Sequence, residues 1–437
     1  MTADLFRLGR YNRSPDPLRE LGRASLVFER TPPRPPLSDS AAWQALQRTA
    51  FEGFSISEYL ERFGVLIFMM SRGWGVPDQE GGLDTPMVLA NEWLAQTLLG
   101  PEERQRIVGI FRGMSMTRAQ AQARLQETLR PDGLPHSPSL FVSYPFVEVQ
   151  PDVLVPSSPT MVSEHLRGGL WRRLLDACKA TRPAEVWHSA FGDMMEMACR
   201  EVALDAQAAP RFRDRVVLSK SIGDADEIED VVIHGSTGLA LFSAKASRIE
   251  HAVARGALSR HRVLQWIHAF LFAAKSKRHR GGALRLLDAK VDRIRAGAWP
   301  NVPWPADVPV FPALVSFDDI GDGIGIVRMI EQRCAEFGLL QQPGVAPVAL
   351  LSLDDLEGLL ALATRGRSIP ELLALKASPA RREQPFKSFL LDESDSKHLR
   401  LPVLKQRAKD LFERSVKTLF NQAAPVLDPD EDDDERA

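Results

Sequence analysis

The chain has 437 residues, of which 44% are hydrophobic and 26% are charged, and its formal net charge is -2 at pH 7. This length and apolar content predict an ordinary soluble protein of two or three domains, each with its own core. They exclude a membrane-spanning protein, because the longest apolar run, Val65 to Met70, is far too short to cross a bilayer.

Cysteine usage and the N-terminal sequence indicate the compartment. Cys178, Cys199 and Cys334 are far apart and match neither a disulfide framework nor a zinc-binding spacing such as CxxC. The N-terminal sequence MTADLFRLGRYNRS lacks the apolar segment of a signal peptide. We therefore expect a cytoplasmic protein that makes no membrane contact.

The first part of the chain predicts three segments. Residues 1–40 are polar and end in TPPRPP, which favours an irregular, proline-rich arm. Residues 41–135 have helical spacing and form a helical N-terminal region. Residues 136–183 begin with a Val-, Phe- and Tyr-rich stretch interrupted by Pro145 and Pro151, which predicts either short strands at a sheet edge or a loose hairpin, followed by a connecting helix.

Capping boxes mark several helix starts in the sequence. In this pattern a serine or threonine is followed three residues later by an acid or a glutamine, and each side chain bonds the other's backbone N–H. The pattern occurs at Ser55 with Glu58, at Thr117 with Gln120 and at Ser352 with Asp355.

The segment 184–300 has a different organisation, in the order helix, three strands, helix. The predicted elements are a helix over 184–203, strands over 215–219, 230–234 and 239–245, and helices up to residue 296. Residues 301–425 form a C-terminal α/β region, in which a strand over 313–317 either begins a new domain or continues the same sheet. The acidic tail, residues 426–437, is expected to be disordered.

The hairpin predicted within this segment contains the two main candidate site residues. Asp230 opens the strand DVVI, and Lys245 ends the strand LFSAK, so that a glycine-containing turn brings the two residues side by side. A hard cation such as Mg²⁺ prefers oxygen ligands, and Asp230 supplies them. Lys245 could orient an attacking water or offset charge on a phosphate. A carboxylate for a divalent cation and a nearby ammonium group are what metal-assisted phosphodiester hydrolysis needs.

The aspartate, the hairpin and LFSAK resemble the PD-(D/E)xK nuclease superfamily, also called restriction-endonuclease-like. Gly192 and Glu196 in AFGDMMEMACREV look like the glycine and glutamate of that superfamily's first core helix, and residues 281–297 are similar to the helix behind the site in bacterial, often defence-associated members. The resemblance covers about a quarter of the chain. It implies an α+β or α/β fold with an αβββαβ core around a mixed sheet, Mg²⁺ or Mn²⁺ as cofactor, and DNA cleavage in antiphage defence.

One position departs from the family pattern. Ser243 stands where the family has an acid two residues before the lysine, and serine is a poor metal ligand. Either another acid has moved into range or the site has lost its activity. The candidates are Glu196, Glu227 and Glu229, although Glu229 is next to Asp230 and faces the other side of a regular strand. For Glu196 the alternative is an exposed helix carboxylate.

Positive charge is concentrated in one region, since the stretch from Arg248 to Arg295 holds twelve lysine and arginine residues against three acids. Within it, KSKRHR is either a grip on a phosphate backbone or a solvated loop. Trp266 and Phe270 could stack on bases, but their helical spacing favours a core face. The candidate nucleic-acid contacts are Lys275, Lys277, Arg278 and Arg280.

Three functions are therefore weighed. The first is a metal-dependent nuclease that acts on DNA, with Asp230, Ser243, Lys245 and Glu196 at its centre and Glu227 as a further metal ligand. The second is a catalytically degenerate scaffold that binds nucleic acid or a protein partner in a multi-component system. The third is an interaction protein without nuclease ancestry, which Asp230 and Lys245 on opposite sheet faces would favour.

Overall fold

The computed structural model of the chain describes residues 17–71, 88–89, 100–127, 142–151, 153–157, 159–218, 230–246, 260–273, 282–297, 304–305, 307–317, 324–394 and 401–420. The described residues form two compact units. One, the four-stranded unit, comprises residues 17–31, 35–187 and 404–420. The other, the five-stranded unit, comprises residues 32–34 and 188–403.

The four-stranded unit is mostly helical and contains one small sheet. Its helices up to residue 179 are α1 Pro17–Phe28, α2 Ser40–Ala50, α3 Ile56–Ser71, α4 Pro101–Gly113, α5 Arg118–Glu127, α6 Pro159–Glu164 and α7 Leu170–Lys179. Its strands are β1 Val88–Leu89, β2 Ser115–Thr117, β3 Phe146–Gln150 and β4 Val153–Pro156, in the order β1-β4-β3-β2.

Two sequence predictions need correction in this unit. The proline-rich arm is not irregular throughout, because α1 forms within it. Pro17 stands at the first helical position, where its missing N–H is no loss, and Leu21, Val27 and Phe28 are buried. The region 41–135 is not purely helical, since β1 and β2 are strands too short for their pattern to show in the sequence.

The predicted capping boxes are confirmed. The Glu58 carboxylate accepts the Ser55 backbone N–H at 2.7 Å, and the Ser55 hydroxyl accepts the Glu58 N–H at 3.2 Å. The same reciprocal bonds join Thr117 and Gln120 at 3.0 and 3.2 Å. These bonds satisfy backbone donors that the first helical turn leaves without partners.

A buried histidine organises the centre of this unit. His165 begins a π-helical turn, His165–Gly169, and its Nδ1 lies 2.8 Å from the Val142 carbonyl, so Nδ1 carries the hydrogen. Nε2 therefore accepts from the Tyr59 hydroxyl, also at 2.8 Å. A side chain on Gly169 would place a carbon 2.2 Å from the His165 ring. The π-helical turn and the glycine together make room for the imidazole.

This histidine predicts acid-labile folding. Burial, together with the charge of the nearby Arg173 guanidinium, lowers the pKa of His165 from 6.5 to about 3. Below about pH 6.5, His165 is therefore protonated in the unfolded chain but stays neutral in the folded chain. As a result, the free energy of unfolding decreases as the pH falls from 6.5 towards 3. We expect a slope of up to about 1.4 kcal/mol per pH unit in the free energy of unfolding. Urea unfolding of wild type and His165→Asn at several pH values in this range measures the slope. An equal slope in both proteins would contradict the role of His165.

The five-stranded unit is built around a mixed sheet. Its strands are β5 Arg215–Val217, β6 Val231–Gly235, β7 Gly238–Lys245, β8 Val310–Ser316 and β9 Ala349–Ser352. Their spatial order is β5-β6-β7-β8-β9. β6 runs antiparallel to both β5 and β7, whereas β8 runs parallel to β7 and β9 runs parallel to β8.

Helices cover both faces of this sheet. They are α8 Ala184–Gln207, α9 Arg260–Phe272, α10 Ala283–Arg295, α11 Ile324–Phe337, α12 Leu353–Thr364, α13 Ile369–Ala377 and α14 Phe386–Asp392. The last helix of the described residues, α15 Pro402–Phe420, lies mainly in the four-stranded unit. Residues 238–243 of β7 are all buried, as expected for a strand with a helical layer on each side.

The strand predictions for this part of the chain are confirmed within a few residues, and β8 joins the same sheet as β6 and β7. One face packs on α9, α10 and α11, with Leu241 and Leu314 among the buried residues. Ser352 and Asp355 form the predicted capping box at the start of α12. The described elements therefore form a mixed α/β arrangement in the order helix, three strands, two helices, strand. Among the described residues, no helix is both long enough and apolar enough to cross a membrane.

Candidate active site

The β6–β7 hairpin brings the predicted residues together. Val231 is paired with Phe242, so Asp230, one residue before β6, stands beside Ser243 near the end of β7. Side chains that are directly opposite on antiparallel strands share one face, and so do residues two apart on a strand. Lys245 therefore reaches the same side as Ser243 and Asp230.

Asp230 is held by the backbone of the neighbouring strand. Its Oδ2 accepts the Ala244 N–H at 2.5 Å, and the residue is only 7% exposed. The Leu239 N–H donates towards β8, to the Pro309 carbonyl, so the N–H groups of even-numbered residues of β7 point towards β6. Ala244 lies two residues beyond Phe242, the partner of the first residue of β6, and its N–H donates to the Asp230 carboxylate. Asp230 thus also has a structural role.

Lys245 completes the charged pair. Its Nζ lies 4.0 Å from Oδ2 of Asp230, and the lysine side chain is 27% exposed against 10% for the aspartate. The ammonium group is therefore in reach of both solvent and a buried carboxylate. This is not the opposite-face arrangement that would have favoured an unrelated interaction protein.

Ser243 occupies the interior of the sheet. It is 1% exposed, and it is in register with Leu314 of β8 on the side away from β6. A hydroxyl is small and neutral enough to be buried there, whereas a carboxylate would need a counter-ion or a proton. The residue type fits a sheet interior better than a metal site.

Glu196 is not the exposed helix carboxylate that the sequence left as an alternative. Its side chain is 13% exposed, and its Oε1 lies 3.0 Å from the Arg200 guanidinium one turn later on α8, which is 10% exposed. Arg200 was not singled out from the sequence, because an arginine four residues after a glutamate is common on solvent-facing helices. Here the pair is largely buried.

Two further residues belong to this neighbourhood. Burial raises the pKa of the Cys199 thiol well above its usual value, and the carboxylates of Asp230, Glu196 and Glu357, in that order, raise it further. The thiol therefore stays protonated at neutral pH. Glu357 lies on α12 and is fully buried. The only signal for it in the sequence is a glutamate within the otherwise apolar run LEGLLALA.

Asp230 and Glu196 are the predicted metal ligands that lie among the described residues, and both offer carboxylate oxygens to Mg²⁺ or Mn²⁺. The described residues contain no group of three or more acidic, histidine or cysteine side chains close enough to hold a metal ion. Mg²⁺ is commonly held by one or two carboxylates, with waters and substrate phosphate completing the shell. The carboxylates of Asp230 and Glu196 therefore fit such an ion in donor type.

Several predicted site residues lie outside the described residues. Among the others, Trp266 and Phe270 stack at 5.5 Å between ring centroids and pack against the buried core, which confirms the core-face interpretation. The undescribed ones are Glu227, Glu229, Lys275, Lys277, Arg278 and Arg280.

Gly192, one turn before Glu196 on α8, offers a test of the site. A side chain added there would meet nothing within 4 Å, so the structure has space for alanine. Glycine within a helix costs about 0.5–1 kcal/mol relative to alanine, so Gly192→Ala should raise the free energy of unfolding by that amount. If DNA must approach α8 closely, the added methyl group of Gly192→Ala should reduce DNA binding or cleavage, although the protein becomes more stable. Urea unfolding and DNA binding measured on one preparation separate the two effects, and unchanged DNA binding and cleavage would remove the functional role of this glycine.

Comparisons with protein-family models, with curated proteins and with solved structures found no match to this chain.

Proposed function

We propose that the five-stranded unit is the core of a metal-dependent nuclease of the PD-(D/E)xK type that acts on DNA. The observation that carries the proposal is the 4.0 Å approach of the Lys245 ammonium to the Asp230 carboxylate on two neighbouring strands. The element order around the pair, helix, three strands, helices and strand, is the one that the resemblance implies. We place the protein in the cytoplasm, as part of a multi-component antiphage defence system.

Each residue has a distinct role in this proposal. Asp230 would hold Mg²⁺ or Mn²⁺ with help from Glu196 or Glu227. When bound, the ion polarises the phosphate and lowers the pKa of an attacking water. Lys245 is partly exposed, so it can meet a phosphate oxygen and offset the charge that builds on it. The Ala244 N–H fixes the direction of the Asp230 carboxylate.

The choice of DNA as substrate depends on the distribution of charge. The stretch from Arg248 to Arg295 has a formal excess of nine positive charges, from twelve basic and three acidic residues, in a chain whose net charge is -2. Each phosphate that such a surface neutralises releases counter-ions, so binding should weaken steeply with salt. Lys275, Lys277, Arg278 and Arg280 are the proposed contacts.

The direct experiment is plasmid cleavage with Mg²⁺ or Mn²⁺ at low salt. Wild type should cut, chelation with EDTA should stop cutting, and both Asp230→Ala and Lys245→Ala should be inactive. Cleavage that survives both substitutions would rule this site out.

A second function is favoured by a specific observation. Ser243 is 1% exposed, and Glu196 is already paired with Arg200, so two of the acidic positions of a nuclease site are neutral or neutralised. A protein with this site would bind DNA or a protein partner without cutting. Salt-sensitive DNA binding by wild type, with no cleavage in Mg²⁺ or Mn²⁺, supports this second function.

A further inference from the structure

The Glu196–Arg200 pair combines burial with a short contact. Both residues lie on α8, one turn apart, with 3.0 Å between Oε1 and Nη2 and side chains that are 13% and 10% exposed. Exposed pairs of the same spacing contribute little, because water screens them. In a mostly buried pair, each charge depends on the other, and removal of one leaves the other without its counter-ion.

We propose that Arg200 is a positioning residue that controls cation binding at the site, because it occupies the Glu196 carboxylate until a divalent ion displaces it. This inference rests on the proposed function, in which Glu196 helps Asp230 to hold the ion. When no cation is bound, the Arg200 guanidinium supplies part of the positive charge that the metal would otherwise supply to Glu196.

The contact between Arg200 and Glu196 persists because arginine keeps its charge. A guanidinium stays protonated at every physiological pH, so it cannot leave Glu196 by losing its proton, as a buried lysine could. Release requires the side chain to rotate away from the carboxylate. A divalent ion must therefore compete with a fixed positive charge for the same oxygen atoms, which lowers its apparent affinity.

Lys245 makes a comparable contact with Asp230, but with a different geometry. Its Nζ is 4.0 Å from Asp230 and its side chain is more exposed, so water and phosphate can reach it. Arg200 is closer to its carboxylate and more buried. Arg200 should therefore be the stronger competitor of the two for an incoming cation.

The test is Mn²⁺ binding, followed by loss of the free-ion signal in electron paramagnetic resonance, at about pH 8, where free carboxylates are ionised. Arg200→Met keeps an apolar side chain of similar length and removes the charge. We expect it to bind Mn²⁺ at least about tenfold more tightly than wild type, because a close opposite charge no longer competes. Arg200→Lys restores a cation and should stay near the wild-type affinity.

Two controls define the effect. Glu196→Gln combined with Arg200→Met should lose the gain, because the carboxylate that the gain requires is absent. Arg333→Met removes a cation from a pair with Glu336 that is half-exposed, and it should leave Mn²⁺ affinity unchanged.

A second readout is thermal unfolding. In EDTA, Arg200→Met should be less stable than wild type, and in Mn²⁺ it should recover this stability.

The outcomes separate this inference from the proposed function. If Asp230→Asn abolishes Mn²⁺ binding but Arg200→Met binds no more tightly than wild type, the nuclease-like site stands and the role of Arg200 is overturned. If Asp230→Asn leaves Mn²⁺ binding unchanged, the proposed function fails. If Arg200→Met does not fold, Arg200→Gln replaces it in the same measurements, and an affinity equal to wild type contradicts the inference.

Discussion

Asp230→Asn is expected to abolish metal-dependent DNA cleavage while the protein remains folded. The asparagine carbonyl can still accept the Ala244 N–H, so the bond that closes the end of β7 survives. The negative charge that would hold the cation and face Lys245 is lost. We expect cleavage to fall at least about 100-fold, since a metal ligand contributes more than the residues that orient it. Rates of plasmid cleavage and thermal unfolding, measured together, check this result.

The structural role of Asp230 makes the choice of variant important. Asp230→Ala leaves the buried Ala244 N–H without its acceptor, which should cost about 1–3 kcal/mol of stability in addition to activity. Asp214→Asn is a matched control, because Asp214 is a buried aspartate whose carboxylate accepts the Ser368 hydroxyl and the Ile369 N–H. That variant should keep its cleavage rate. Loss of activity in Asp214→Asn, or its survival in Asp230→Asn, would contradict the account.

Ser243→Glu should produce the second large effect, a stability that depends on divalent cations. The position is 1% exposed, so a carboxylate there loses most of its hydration, and burial raises its pKa. In EDTA we expect the variant to lose about 2–3 kcal/mol of stability relative to wild type. In Mn²⁺ part of this loss should be recovered, because the ion binds the folded site and neutralises the new charge.

The same variant also distinguishes the two proposed functions. If wild type is inert and Ser243→Glu gains cation-dependent cleavage, the natural protein is a binder built on a nuclease fold. Ser243→Gln is the control, since it has the same size without the charge, and it should be destabilised equally with and without Mn²⁺. An identical response of the two variants to Mn²⁺ would show that no cation binds beside residue 243.

The sequence predicted the central hairpin well because the signals are local. The β-branched run VVI, a glycine-containing turn and the apolar strand that follows determine both strands and their register. This register places Asp230 on the same sheet face as Ser243 and Lys245. The capping box at Ser352 and Asp355 is equally local and equally accurate. Helix α1 was not predicted because the prolines at residues 32–36 favour extended backbone, whereas α1 ends before them, at Phe28.

What the sequence could not give depends on contacts between distant segments. Glu196 has the same sequence context as an exposed helix carboxylate, and only the packing of α8 buries it with Arg200. Glu357 is more than 100 residues away from Asp230 in the chain, yet both affect the Cys199 thiol. The acceptor for the Ala244 N–H also depends on where β6 stops pairing, which sequence patterns locate only to within a few residues.

The most direct measurement is the electron density beside Asp230 in crystals soaked with Mn²⁺, recorded at a wavelength where manganese scatters anomalously. We predict an anomalous peak within about 2.0–2.4 Å of an Asp230 carboxylate oxygen, with Glu196 turned away from Arg200 towards the ion. A site without an anomalous peak, in crystals whose Lys245–Asp230 and Arg200–Glu196 pairs are unchanged, would contradict the assignment of a metal-dependent nuclease.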